Sequence, residues 1–284
     1  MAEHVHPARA LWWLFEPVHA LTYFSPEGRA AYEAVGLRGY WRGYFGGRSA
    51  PLGAVEAAPV VAAFFNFAPA MVERALPDVW HRAAPQDVLA ARVDGAAAAL
   101  GRVLETVKPD LVDRSVELLE RAVDGLDCGG RVLAAANAAL PRPDGRLARL
   151  WQATTVLREH RGDGHVAALV AEGLDGCEAL VLRCALDVRR EALQPHRGWT
   201  DEEWDAAAAR LAERGWLAPD GTITADGRSR HRALEAVTDL AAARVWAGFH
   251  RTELDELAAV LRPISTACRA ELPPANPIGL PQAG

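Results

Sequence analysis

Residues 199–239 read WTDEEWDAAAARLAERGWLAPDGTITADGRSRHRALEAVTD, and this stretch decides the fold. Thr200-Asp201-Glu202-Glu203 is a capping box, in which the Thr200 hydroxyl and the Glu203 carboxylate satisfy each other's backbone amides at a helix start. The helix it opens ends at Gly215. Trp216-Leu217-Ala218 and Thr222-Ile223-Thr224 then flank Pro219-Asp220-Gly221, the pattern of two short strands about a turn. Asp226 starts another helix. Helix, strand, turn, strand, helix is the winged part of a winged helix–turn–helix.

Working outward, the remaining chain is patterned for helices. Apolar residues recur at helical period through 8–23, 26–45, 55–66, 85–104, 110–123, 130–140, 146–159, 165–186, 201–214, 226–243 and 252–261. Pro and Gly punctuate between these runs, most densely at Pro141-Arg142-Pro143-Asp144-Gly145. The expected fold is therefore all-α with a small β-wing. Its expected divisions are 1–140, 141–268 and a Pro- and Gly-rich tail, 269–284, lying loose on the surface. A weak internal repeat supports two halves. Residues 22–39 (TYFSPEGRAAYEAVGLRG) align without gaps to 159–176 (EHRGDGHVAALVAEGLDG) at an offset of 137, with six of 18 positions identical. The shared Gly-Leu-x-Gly is its most specific element. A period near half the chain length points to a duplicated unit and an internal pseudo-twofold.

The stretch 199–239 resembles the winged helix of MarR-type regulators, through its Arg-Gly-Trp, its Asp-Gly wing turn and the Thr-x-x-Gly-Arg before a long helix. The whole chain, about residues 8–265, resembles a family of actinobacterial proteins described as tandem helix–turn–helix, two MarR-like units fused in one chain. HALTYFSPE (19–27), GYFGGRSAPLG (43–53), FFNFAP (64–69) and LREHRGDGHVAAL (157–169) carry that resemblance. It implies an architecture and supplies little chemistry. The first half departs from the pattern, because ALPDVWHRAAPQ after residue 69 has no readable wing.

Composition excludes several classes. The chain has 284 residues and a formal charge of −6; 30 of its 31 basic residues are Arg, and Lys108 is the one Lys. This is an ordinary globular composition. The acidic balance argues against broad nucleic-acid binding. No apolar run reaches the roughly 18 residues of a membrane span, and MAEHVHPAR lacks the pattern of a signal peptide; the expected location is the cytoplasm. Cys128, Cys177, Cys184 and Cys268 include no CxxC pair and read as structural thiols. There is no GxGxxG after a strand, no P-loop and no GxSxG elbow. Ser25 and Ser49 lack a diagnostic nucleophile setting, so the sequence leaves open whether any reaction is catalysed.

Two segments carry candidate chemistry. Thirteen of the 20 aromatic residues lie between Trp12 and Phe67, including all four Tyr. Such helices fill an internal interface or line a pocket for a flat ligand. The second segment is His160-Arg161-Gly162-Asp163-Gly164-His165. Its glycines are expected to break the helix, with Asp163 capping the next one. Across a continuous helix the two imidazoles would stand about 140° apart; a break lets them converge. The expected ligand site gathers His19, Tyr23, Phe24, Tyr44, Arg48, Phe65, Asn66, His160, Arg161, Asp163 and His165. His160 and His165 are the candidate metal ligands, and haem or a transition metal the candidate cofactor. Basic residues expected near DNA are Arg210, Arg214, Arg228 and Arg230, but Asp201, Glu202, Glu203 and Asp205 at the helix before the wing would repel phosphates.

Three functions follow. The first is a small-molecule-binding protein of MarR-like descent, a ligand-responsive regulator with weak or lost DNA binding and a small aromatic or anionic ligand. The second is a haem- or metal-dependent enzyme using His19, His160 and His165. The third is a true DNA-binding repressor. A fused pair already supplies two units, so a monomer or weak homodimer is expected.

Overall fold

A computed structural model describes residues 5–273. The chain is mainly helical: α1 (Pro7–Phe24), α2 (Pro26–Ala34), α3 (Tyr40–Ser49), α4 (Ala57–Ala63), α5 (Pro69–Glu73), α6 (Asp78–Arg82), α7 (Pro85–Val103), α8 (Pro109–Asp124), α9 (Val132–Ala138), α10 (Arg146–Ala171), α11 (Gly176–Cys184), α12 (Arg190–Leu193), α13 (Asp201–Glu213), α14 (Ala225–Ala243) and α15 (Arg251–Ala270). Proline opens α1, α2, α5, α7 and α8, where its missing N–H has no intrahelical partner to lose. Side-chain caps start others. The Ser25 hydroxyl accepts from Gly28 N, Asp175 and Glu178 form a capping box before α11, and Thr200 and Glu203 form the one expected before α13. His6 accepts from Ala8 N and His250 joins a capping box with Glu253, so both histidines serve as helix caps.

The long helices α1, α8, α10 and α15 share the central core, packing α1 against α10 and α15, and α8 against α10 and α15. Val18, Leu21, Leu119, Leu150, Trp151, Leu257, Leu261 and Ile264 are all but fully buried there, each contributing roughly 1.5–3 kcal/mol by leaving water. A second core lies around α2, α3 and α7 (Tyr32, Leu37, Phe45, Val79, Val88), and a third around α11 and α13 (Leu180, Trp204, Leu211, Trp216, Ile223). Tyr32 lies flat along α3 because Gly43 and Gly47 have no side chain there; a Cβ on Gly43 would stand 2.9 Å from Tyr32 Cδ2, and one on Gly47 would collide with the Tyr32 hydroxyl.

Several sequence expectations are corrected. The glycines 162 and 164 do not break the helix: α10 runs unbroken from Arg146 to Ala171. Each interior glycine costs a helix about 1 kcal/mol, but both sides of this helix are buried and the packing prevails. Gly164 serves clearance, since a Cβ there would collide with the Arg131 guanidinium, which bonds the carbonyl of His160. Asp163 is consequently not the cap of a new helix; its Oδ2 accepts from Ala134 N at 2.9 Å, in the first turn of α9. Residues 26–45 are two helices, because Gly36 (φ +92°) ends α2 in a left-handed turn. The two expected wing strands reduce to one antiparallel bridge, Leu217 to Ile223, and no strand forms among the described residues. The last helix extends through Ala270, and Arg269 donates to Trp13 O at 2.6 Å, so residues 269 and 270 are packed helix. Leu272 just beyond is buried as well, and the part of the expected loose tail from 274 onward lies outside the described residues. No described helix is long and apolar enough to cross a membrane.

Candidate functional site

The middle of α1 faces the middle of α10 and the C-terminal half of α3, and a buried polar cluster fills this seam. Glu159 on α10 is 1% exposed. Arg48 on α3 donates to it twice, at 2.9 and 3.0 Å, and Arg158 donates at 2.8 Å. Burial opposes its ionisation, but Arg158 and Arg48 beside it hold the carboxyl well below the usual range. Arg158 also approaches Glu16, whose Oε2 accepts from Trp12 Nε1 at 2.8 Å. The Arg48 guanidinium lies 4.2 Å above the Phe64 ring and donates to the Tyr44 hydroxyl at 3.4 Å.

His19 is the other centre. Its Nδ1 meets Thr155 Oγ1 and its Nε2 meets the Tyr23 hydroxyl, each at 2.9 Å. Burial, reinforced by the Arg158 charge, pushes the His19 pKa well below its ordinary value, so the ring is neutral. Burial and neighbouring Tyr44 push the Tyr23 phenol up, so it keeps its proton. Tyr23 and Tyr44 stand 5.0 Å apart and Tyr44 stacks on Tyr40 at 6.2 Å. Beside them lies a cavity of about 20 Å³ lined by Thr22, Tyr23, Arg29, Tyr32, Leu37, Gly39, Tyr40, Gly43 and Tyr44, room for about one water molecule. A larger cleft, about 300 Å³, opens on the outer side of α8 and α10 among Arg142, Arg146, Arg149, Glu120 and Asp124; its charges are paired with one another.

The seam thus gathers His19, Tyr23, Tyr44 and Arg48 from the expected set. It does not gather the others. His160 Nε2 contacts Asp127 O at 3.3 Å, His165 Nδ1 contacts Thr238 Oγ1 at 3.0 Å, and Arg161 reaches Asp239 Oδ1 at 3.2 Å with its guanidinium 4.4 Å from the Trp12 ring. On an unbroken helix the two imidazoles cannot converge. His160 and His165 therefore share no metal, and His19 does not join them. Among the described residues no group of three or more His, Cys, Asp or Glu is placed to hold a metal ion. Phe24 is half-buried at the end of α1. Glu159, Thr155 and Arg158 were missed, although they sit in or beside LREHRGDGHVAAL. Arg48 and Glu159 are 111 residues apart, and no local pattern announces such a pair.

Phe65 and Asn66 belong to a different feature. The turn 64–68 leaves the first half and docks on the second. Ala68 N donates to Arg197 O at 2.9 Å, and Trp199 Nε1 donates to Asn66 O at 3.0 Å. The Arg197 guanidinium lies 4.8 Å from the Phe67 ring centre. Phe65, with φ +22°, packs into the core of α11 and α13. This non-glycine residue in the left-handed region is held there by its docking. Gly176 is needed because a Cβ would strike Phe65 O, and Gly198 because one would stand 2.7 Å from Met71 Cβ.

Residues 8–273 match a family described as a helix-turn-helix family. The chain belongs to that family. No curated protein and no solved structure matches it. Helix-turn-helix proteins are of the DNA-binding regulator type, and the candidate DNA residues of this family member can be placed. Arg210 is tied to Glu178 and Asp175, Arg214 to the carbonyls of Gly173 and Glu172, and Arg230 to Glu172 at 3.4 Å. Arg228 is exposed at the start of α14. The outward face of α13 shows Glu202, Ala206, Ala209 and Glu213, all exposed.

Proposed function

We propose that the chain is a fused pair of MarR-like winged-helix units whose seam takes a small aromatic or anionic ligand, and that its DNA reading is weak or lost. The duplication is supported by matching local structure. Gly36 and Gly173 both have positive φ, with Leu37 N donating to Tyr32 O and Leu174 N to Leu169 O. Both leucines are buried. The 137-residue offset carries α7 onto the region of α14 and α8 onto that of α15. In the packing, α1 lies on α15 as α10 lies on α8, which is the exchange a pseudo-twofold produces.

The observation that carries the ligand reading is the buried cluster of Arg48, Arg158, Glu159, His19, Tyr23 and Tyr44 between the halves, beside a cavity that Thr22 faces with no well-formed hydrogen bond, the Tyr32 phenol being its weak partner. Weak DNA reading rests on the acidic face of α13 and on three arginines already paired within the chain. Arg228 and the one-bridge wing, Leu217 to Ile223, remain for contact with a phosphate backbone. Family membership supports a second reading, direct DNA binding through Arg228 and the bridge. Thermal-shift measurements with benzoate and phenol, alongside gel shifts on the upstream DNA at about 50 mM salt, test both. Stabilisation by either compound without a gel shift is the expected result. A salt-sensitive gel shift with no stabilisation overturns the ligand reading in favour of the second.

A further inference from the structure

The cleft of about 300 Å³ between α8 and the start of α10 is crossed by three pairs of opposite charge. Asp113, Glu120 and Asp124 stand on α8, and Arg142, Arg146 and Arg149 on the segment that leads into α10. Two of the pairs are closed. Arg149 donates twice to Glu120, and Arg142 donates to Asp124. Arg149 also holds the Glu120 carboxyl below its ordinary range. The third pair is open: Arg146 Nη1 stands 3.8 Å from Asp113 Oδ2, beyond hydrogen-bond reach, and both side chains are half exposed, at 51% and 55%. The other charged residues of the lining have partners outside it. Arg121 donates to Glu253 at 2.8 Å, and Glu117 pairs with Arg114 at 2.7 Å. Arg146 and Asp113 are therefore the charges left for a ligand, one of each sign. A plain anion would take Arg146 and face an uncompensated Asp113; a plain cation would do the reverse. A molecule carrying both an ammonium and a carboxylate satisfies both groups, and replaces one loose contact by two charge-assisted hydrogen bonds. Val116, buried, supplies the apolar side chain of the lining. The volume is at the lower end for ligand sites, which suits a small molecule.

From this arrangement, and independently of the seam, we infer that the outer cleft of α8 and α10 binds a small zwitterion, an α-amino acid with a short aliphatic side chain. Its carboxylate accepts from Arg146, its ammonium donates to Asp113, and its side chain lies on Val116. The test is titration calorimetry of the full chain with L-norvaline, valerate and butylamine at about 50 mM salt, where exposed charges are weakly screened. Valerate is norvaline without its ammonium, and butylamine is norvaline without its carboxylate. Norvaline is expected to bind, and each single-charge compound to bind at least about tenfold more weakly, the effect of one lost charge-assisted hydrogen bond. Arg146→Gln should bring norvaline down to the level of butylamine, and Asp113→Asn to that of valerate. Both side chains are half exposed and share no hydrogen bond, so both variants should melt with the unaltered chain. Valerate binding as tightly as norvaline would make this an anion cleft, and butylamine binding as tightly a cation cleft; either overturns the inference. Norvaline binding that neither variant weakens places the amino acid elsewhere and also overturns it. If none of the three compounds binds, the third pair is a surface ion pair only and the inference falls. The seam reading rests on other residues and stands or falls by its own measurements.

Discussion

At the residue scale, Glu159 is the most sensitive position. Two guanidinium groups are buried on the strength of its charge, and removing one partner of a buried ion pair leaves the other uncompensated. Glu159→Gln should destabilise the fold by about 3–5 kcal/mol, read from urea unfolding; a loss under about 1 kcal/mol would mean the cluster is solvated. The histidines set the acid limit. Burial pushes His160 and His165 down to about 4, and His19 well below its ordinary value. The unfolded chain protonates these rings near pH 6.5, while the folded chain protonates His160 and His165 only near 4 and holds His19 neutral well below its ordinary range, so acidification through that window favours unfolding. Asp163, pushed up to about 6 by burial, acts in the opposite sense, one group against these three and His231, which burial also pushes down. Stability should therefore be level above pH 6.5 and decline toward pH 4. His165→Asn, which keeps a group to pair with Thr238, should flatten the decline by about 1–2 kcal/mol after allowance for partial exposure. A melting temperature independent of pH across the window would show these rings protonated in the fold.

At the element scale, what was legible in the sequence was written in neighbouring residues. The Thr200–Glu203 box, the prolines that open helices and the glycine that ends α13 act within a turn of themselves, and their helices stand where the pattern puts them. The segments α5, α6 and α12, five residues or fewer, are too short to show a helical period. The misread glycines of α10 show tertiary burial outweighing propensity. The site divides the same way: His19 and Tyr23 are four apart on one helix face and were readable together, while Glu159 meets Arg48 only after folding. Gly47 offers a test of packing between elements. Gly47→Ala should cost about 1–3 kcal/mol through overpacking against Tyr32. In a double-mutant cycle Tyr32→Phe should recover part of it, since the colliding hydroxyl is gone. Additive losses would show that the helix moves away instead.

At the scale of the whole molecule, the turn 64–68 determines what the two halves can do together. A two-headed DNA reader needs its recognition elements about one helical turn apart, roughly 34 Å. On the duplication proposed above, the first half's counterpart of that region begins with the turn 64–68, which is bonded to Arg197 and Trp199, so two such heads would not straddle two half-sites while this contact holds. The same fusion bears on assembly. On the proposed fusion, the surfaces that two separate subunits would bury against each other are those packed within this chain along α1, α10, α8 and α15. Among the described residues the large apolar side chains left exposed are few: Leu240 (64%) and Val237 (53%), neighbours on α14, Val132 (59%) on α9, Val170 (58%) on α10, and Val5 and Tyr40 at 39%. Single exposed apolar residues are normal on a monomer. Sedimentation should accordingly give one species of 30.6 kDa across a wide range of concentration. If a dimer appears instead, Leu240→Glu decides its origin. Loss of the dimer in that variant would place the association on α14, outside the fused seam, and would make the working unit a pair of pseudo-dimers; persistence of the dimer would mean the seam exchanges between chains, and the internal pairing would have to be abandoned.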